Sequence, residues 1–126
     1  MIVGSFLVKH LLINWIEGEK HFKNCLLDYN EANNVSGWQW VAGCGADAAP
    51  YFRIFNPILQ GEKFDKDGAY VRKWVSELKH VPKKFIHKPW ELKDDKILKL
   101  DKDYPFPIVI HEKARIKALN AFKKIN

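Results

Sequence analysis

The residues best equipped for chemistry lie between Asn33 and Pro57. The run Asn33-Asn34-Val35-Ser36-Gly37-Trp38-Gln39-Trp40 continues through Gly43-Cys44-Gly45-Ala46-Asp47-Ala48 to Pro50-Tyr51-Phe52-Arg53. Indoles, amides, a Tyr-Phe pair and a guanidinium are concentrated there between Gly and Pro breaks. Large aromatics supply most of the apolar area of a site, and polar groups buried beside them must each find a partner. The stretch therefore reads as the floor of a binding site. Trp38 and Trp40 stand two apart, which on a helix turns them about 200° from each other. One indole then faces inward and the other a cavity or solvent. A Trp pair packs a core more often than it holds a ligand. An outward Trp near Arg53 and Gln60 suits stacking on a nucleobase, worth about 1–3 kcal/mol per base. Asp28 and Asn34, separated by a turn, can aim a carboxylate and an amide at one polar ligand; alternatively Asp28 bonds its own backbone at a helix end. Spacing alone leaves both pairs of readings open.

Other patterns carry less. Gly43-Cys44-Gly45-Ala46-Asp47-Ala48 satisfies G-x-G-x-x-A, but a dinucleotide turn follows a strand and opens a long helix. Here Gly-Trp-Gln-Trp precedes it and Pro50 closes it, so no Rossmann site is expected. Asn34-Val35-Ser36 is a nominal glycosylation acceptor without a secretory signal. His10, His21, His80, His87 and His111 have no metal-ligand spacing and read as surface or packing residues. Cys25 and Cys44 fit neither a zinc pair nor a disulfide framework; both are expected to be reduced packing residues of an intracellular, cytoplasmic protein. No Ser/His/Asp or Cys/His arrangement supports hydrolysis.

The elements that must position these groups are helical. Apolar residues at Ile2, Val3, Phe6, Leu7, Leu11, Leu12 and Trp15 predict a helix over 2–16 that Gly18 breaks. A second helix is predicted over 19–28, closed by Asp28-Tyr29-Asn30. Tyr51–Asn56 is one helical turn or an ordered loop between prolines, and Gln60–Asp65 a polar surface loop. Asp67 is expected to cap a helix over 68–78 with Val71, Trp74, Val75 and Leu78 inside. From His80 to Pro107, four prolines among Lys and Asp residues predict an extended wrap-around segment. A last helix is predicted over 111–124, with Ala114, Ala118, Leu119 and Phe122 on its inner side. Only Phe106–Ile110 alternates with period two, so the fold class is all-α.

The chain has 126 residues, 47% of them apolar and 29% charged, with a net charge of +6. That is one domain's worth of ordinary globular composition, and its charge favours an anionic partner such as nucleic acid, a phosphate-bearing cofactor or a membrane surface. The apolar start, cut by Lys9 and His10, is too short to span a membrane, so no membrane association is expected. It begins abruptly with a core-type helix, as a part of something larger would.

The pattern Asn-Asn-x-x-Gly-Trp-Gln-Trp-x-x-x-x-Gly-x-Asp-Ala-x-Pro-Tyr-Phe-Arg-Ile-Phe-Asn-Pro, then Gln60-Gly61-Glu62-Lys63-Phe64-Asp65 and Tyr70-Val71-Arg72-Lys73-Trp74-Val75, resembles the DNA photolyase/cryptochrome family. The resemblance is closest to class I cyclobutane pyrimidine dimer photolyases. It covers essentially all of 1–126 and corresponds to the C-terminal part of the helical FAD-binding domain. It implies light-driven repair of pyrimidine dimers by electron transfer from reduced FAD, in a complete enzyme that is a monomer. Asp28, Tyr29 and Asn30 would line the FAD site, with Asn34 at the flavin N5 edge. Trp38 and Trp15 would be the proximal and middle members of a tryptophan electron-transfer chain. Trp40, with Met1 near it, would meet the flipped dimer, and Arg53 and Gln60 would face damaged DNA. Asn30 departs from the family, where many relatives carry Asp. The antenna-binding domain, with its chromophore, and the first part of the FAD domain would belong to a missing N-terminal portion, without which the chain is expected to be inactive. The alternatives are a cryptochrome-like blue-light photoreceptor and a non-catalytic helical fragment that binds DNA weakly.

Overall fold

The computed structural model describes residues 1–92 and 104–124. Among these residues it is helical throughout, with no strand, as the periodicity predicts. The chain divides into two units, Met1–Phe55 with the described part of Val109–Asn126, and Asn56–Ile108.

The first unit begins with α1 (Ile2–Ser5), which widens into a π-helical turn at Phe6–His10. The predicted helix over 2–16 stops there. Leu12 takes a left-handed backbone (φ 54°), a conformation that costs a side-chain-bearing residue about 1–2 kcal/mol. Asn14 then caps a new helix, its side chain accepting from the Ile16 N–H at 3.1 Å. Trp15 therefore opens α2 (Trp15–Cys25) rather than ending the first helix. Gly18 lies inside α2 and does not break it. The expected inner stripe is also displaced: Ile2, Val3 and Leu12 are exposed, while Ser5, Val8, Lys9 and His10 are buried.

Helix α3 (Glu31–Ala42) starts at Asn30, whose side chain accepts from the Asn33 N–H at 3.0 Å. Gly43 ends it in the left-handed region (φ 81°), where its N–H bonds the Gln39 and Trp40 carbonyls. The G-x-G-x-x-A run thus closes a helix, the opposite of a dinucleotide turn. The last helix, α6 (His111–Lys123), is close to its predicted span and buries Ala114 and Ala118.

In the second unit the polar loop expected at Gln60–Asp65 is mostly helix. Asn56 caps α4 (Pro57–Phe64) by accepting from the Ile58 and Leu59 N–H groups, and Pro57 occupies the first turn, where its missing N–H costs nothing. Helix α5 (Ala69–Trp74) is shorter than predicted, and its cap is the Asp65 carboxylate, which accepts from Tyr70 and Val71 N–H, not Asp67. Trp74, expected inside, is 64% exposed. The core is instead Leu78, Val81 and Ile86 with Val71, Val75, Phe85, Leu92 and Tyr104 around it. Over 80–92 the expected extended segment is a series of 3₁₀ turns at Lys83–Phe85 and Pro89–Glu91. Its stretch at 93–103 lies outside the described residues.

Candidate functional site

The site is built on the contact between α2 and α3. In a helix interior glycine costs about 1 kcal/mol against alanine, and at Gly18 the cost has a visible return. A Cβ there would come within 2.2–2.6 Å of the six-membered ring of Trp38, so only glycine lets that indole lie on α2. Phe22, one turn on, meets the same indole edge-on at 5.2 Å and 77°. Trp38 is left 5% exposed.

A side-chain network fixes the opposite edge of the indole. Trp38 Nε1 only donates, and it donates to Asn34 Oδ1 at 3.1 Å. That contact settles the amide orientation: Asn34 Nδ2 donates to the Glu19 carboxylate at 3.1 Å and to the Glu19 carbonyl at 3.2 Å. The Tyr29 hydroxyl donates to the same carboxylate at 3.0 Å. Desolvation, then the adjacent Glu19 carboxylate, holds the Tyr29 phenol above its ordinary pKa. Both Asn34 amide hydrogens are thereby spent, and toward any ligand Asn34 offers only its remaining Oδ1 lone pair. It also has no free nitrogen for glycosylation.

Two pockets open along α3. The smaller, about 180 Å³, is lined by Asn34, Trp38, Phe22, Val41 and the start of α1; the larger, about 540 Å³, by Trp40, Gln39, Ser36 and Gly45–Asp47. Met1, Asn33 and Gly37 line both. Trp38 and Trp40 thus face different spaces, as their angular separation predicts. The Arg53 guanidinium lies 6.0 Å from the centre of the Trp40 ring, the outer limit of a cation–π contact.

The remaining predicted residues lie off these two pockets. Asp28 is exposed, with neither a hydrogen bond nor an ion pair among the described residues, so its carboxylate is open to a ligand. Asn30 has committed its side-chain oxygen to the α3 cap, and Tyr29 its hydroxyl to Glu19. Trp15 stands at the head of α2 on the same strip as Gly18 and Phe22. Gln60 belongs to α4 in the second unit. Cys25 and Cys44 are free as expected but exposed, not packing residues. No cluster of three or more metal-ligating side chains occurs among the described residues. Sequence reasoning missed Glu19 and Gly18. A lone acid and a lone glycine in a helical stretch give no signal until α3 is laid against them.

Fold and site together define a helical domain with an aromatic, amide-lined ligand wall. Residues 1–124 match the family model described as the FAD binding domain of DNA photolyase, and the chain belongs to that family, whose cofactor is FAD. It is 58% identical over 129 residues to the deoxyribodipyrimidine photo-lyase of Agrobacterium fabrum (strain C58 / ATCC 33970), covering 99% of this chain and 27% of that protein. Among solved structures, a bacterial class III photolyase from Agrobacterium tumefaciens matches with a TM-score of 0.90 at 57% identity, over 98% of this chain and 27% of the other. A cryptochrome from Synechocystis sp. PCC6803 matches with a TM-score of 0.84 at 36% identity, over 94% of this chain and 25% of the other. The chain spans about a quarter of the length of these relatives. No helix among the described residues is long and apolar enough to cross a membrane.

Proposed function

We propose that this chain is one wall of a DNA photolyase that repairs cyclobutane pyrimidine dimers with light, of the class I type its motifs resemble. The observation that carries this reading is the pair of pockets around one helix, Asn34 and Trp38 on one and Trp40 on the other. Two ligands can then approach α3 from different sides, meeting only at the Met1, Asn33 and Gly37 rim that both pockets share.

The smaller pocket fits only an edge of FAD. Its volume of about 180 Å³ is below the roughly 300 Å³ at which ligand pockets usually begin. What it presents suits a flavin edge: an acceptor lone pair on Asn34, an indole wall and, beyond it, the open carboxylate of Asp28. Tyr29 and Asn30 stand off this pocket with Asp28, and on this reading they support the FAD site from beside it. When bound, FAD supplies the light absorption and the transferable electron. The residues of the chain then orient it, exclude water through Trp38 and Phe22, and link it by Trp38 and Trp15 to an external electron donor. Trp40, with Met1 near it, meets the flipped dimer, and Arg53 faces the DNA; Gln60, in the second unit, is a separate DNA-facing residue. The exposed apolar side chains of Ile2, Val3, Leu12, Ile13, Ile16, Leu26 and Leu27 are, on this reading, the seat of an N-terminal portion that closes the flavin site and carries the antenna chromophore. The complete enzyme is a cytoplasmic monomer.

The test is light-dependent repair of thymine dimers by the chain joined to such a portion. FAD binding with dimers left intact under light overturns the reading. The isolated chain is expected to purify without stoichiometric FAD and without activity, and a flavin absorbance spectrum contradicts that. The likeness to a cryptochrome supports a second reading, a photoreceptor using the same flavin without repair. Preference for damaged over intact DNA favours repair; equal binding favours signalling.

A further inference from the structure

The π-helical turn at Phe6–His10 buries two polar side chains that the proposed activity does not use, and each grips α6. Lys9 is 1% exposed; among the described residues its ammonium has no hydrogen-bond acceptor, and it lies 3.7 Å from the centre of the Phe122 ring, near the end of α6. His10, 5% exposed, stacks on Phe6 and places Nε2 2.8 Å from Nδ1 of His111, the first residue of α6.

A hydrogen bond between two imidazole nitrogens holds only one proton on its axis. Two neutral rings make it, and so does one imidazolium facing one neutral ring. Two imidazolium rings cannot: both facing nitrogens then carry hydrogens, and two positive charges stand with ring centres 5.0 Å apart. We propose that the His10–His111 contact is a proton-operated clasp, closed near neutral pH, whose opening in mild acid frees the N-terminal end of α6 while Lys9 still holds the Phe122 end.

The surroundings of His10 favour this behaviour. Burial lowers its pKa first; the Ser5 carbonyl on α1 partly offsets that, and His111 on α6 lowers it again. Lys9, next in the chain, turns its ammonium to Phe122 and the Gly43-Cys44 turn after α3. Among the described residues no carboxylate from α2 or α3 forms an ion pair that would stabilise a doubly charged pair.

The test is an NMR titration of the chain. The Ala114 N–H bonds the Ile110 carbonyl in the first turn of α6, and Ala118, fully buried, reports the middle. Hydrogen-exchange protection of Ala114 relative to Ala118 is expected to fall about tenfold between about pH 7.5 and about pH 5. The ratio should stay flat in His111→Gln, which keeps a hydrogen-bonding group that does not titrate, and in His10→Gln. A flat ratio in the unsubstituted chain, or the same fall in His111→Gln, overturns the clasp. Should both variants fail to fold, the ring ¹⁵N shifts of the unsubstituted chain decide. A clasp makes His10 and His111 titrate as a coupled pair in two steps, and two independent single-step curves overturn it.

Discussion

The two units hold themselves together in different ways. In the first, beyond the helix caps, most bonds that tie the site together run between side chains: Tyr29 and Asn34 to Glu19, Trp38 to Asn34, His10 to His111. In the second, apart from surface pairs such as Lys83–Asp67 and Lys88–Glu62, side chains bond backbone. Asp65 caps α5, the Arg72 guanidinium donates to the Asp67 and Val81 carbonyls, and His87 Nε2 donates to the Asp65 carbonyl at 2.7 Å. A bond to backbone survives most substitutions of its neighbours, because every residue brings a carbonyl. A bond between side chains survives only if both partners are kept. The first unit should therefore be brittle at single positions, and the second should spread its losses.

The sharpest way to break that contrast is at the glycines. Gly18→Ala places a methyl inside the Trp38 ring, and overpacking of this kind costs about 1–3 kcal/mol. Trp38→Phe removes the atoms that clash, so the double variant should recover part of the loss in a denaturant-melt cycle. Gly61→Ala meets the His87 ring, at 2.5 Å from Nδ1. That side chain can yield, so a smaller loss is expected; an equal loss contradicts the contrast.

Next come the hydrogen bonds. Glu19→Ala strands the Tyr29 hydroxyl and leaves the Asn34 amide with only the residue-19 carbonyl as acceptor, and should cost about 1–3 kcal/mol by chemical denaturation. Arg72→Met removes two bonds to carbonyls that water can reach on partial exposure, and about 1 kcal/mol is expected. A larger loss for Arg72→Met reverses the proposed order.

The response to pH separates the units again. The folded pKa of His10 lies below its ordinary value, so as pH falls through about 6.5 the unfolded chain binds more protons and stability is lost on acidification. Burial works against the Asp65 carboxylate, but the N–H groups of Tyr70, Val71 and Ala69 outweigh it and hold its pKa below 3.8. Its contribution is complete above that value and is lost only as pH falls further. Circular dichroism against pH should show the first unit weakening earlier. The smallest effect should come from Lys20→Gln, which removes the exposed pair with Glu17 and should shift the melt by less than about 0.5 kcal/mol.

What was legible in the sequence follows the same division. The helical class, the last helix and the opposite facing of Trp38 and Trp40 all come from local spacing. Gly18 as a helix breaker and Gln60–Asp65 as a loop were wrong because local preference was overruled: by the Trp38 ring at Gly18, and by the Asn56 cap with Pro57 at α4. The break at Leu12 and the burial of Lys9 and His10 carry no periodic signal, since polar residues normally read as outward. Trp74 was placed inside by its spacing, but α5 ends at that residue and the chain turns before the stripe continues. Glu19 was invisible for a different reason. Its role exists only where Asn34 and Tyr29 converge on it from outside its own helix.

The absence of clearance between Gly18 and Trp38 also bears on how this region can change over generations. A side chain at position 18 is admissible only after position 38 has shrunk, whereas a smaller residue at 38 meets no clash with glycine still in place. The two positions therefore have a permitted order of substitution and a forbidden one. Among descendants of this chain, an alanine at 18 should be found only in lineages that have already lost the tryptophan at 38.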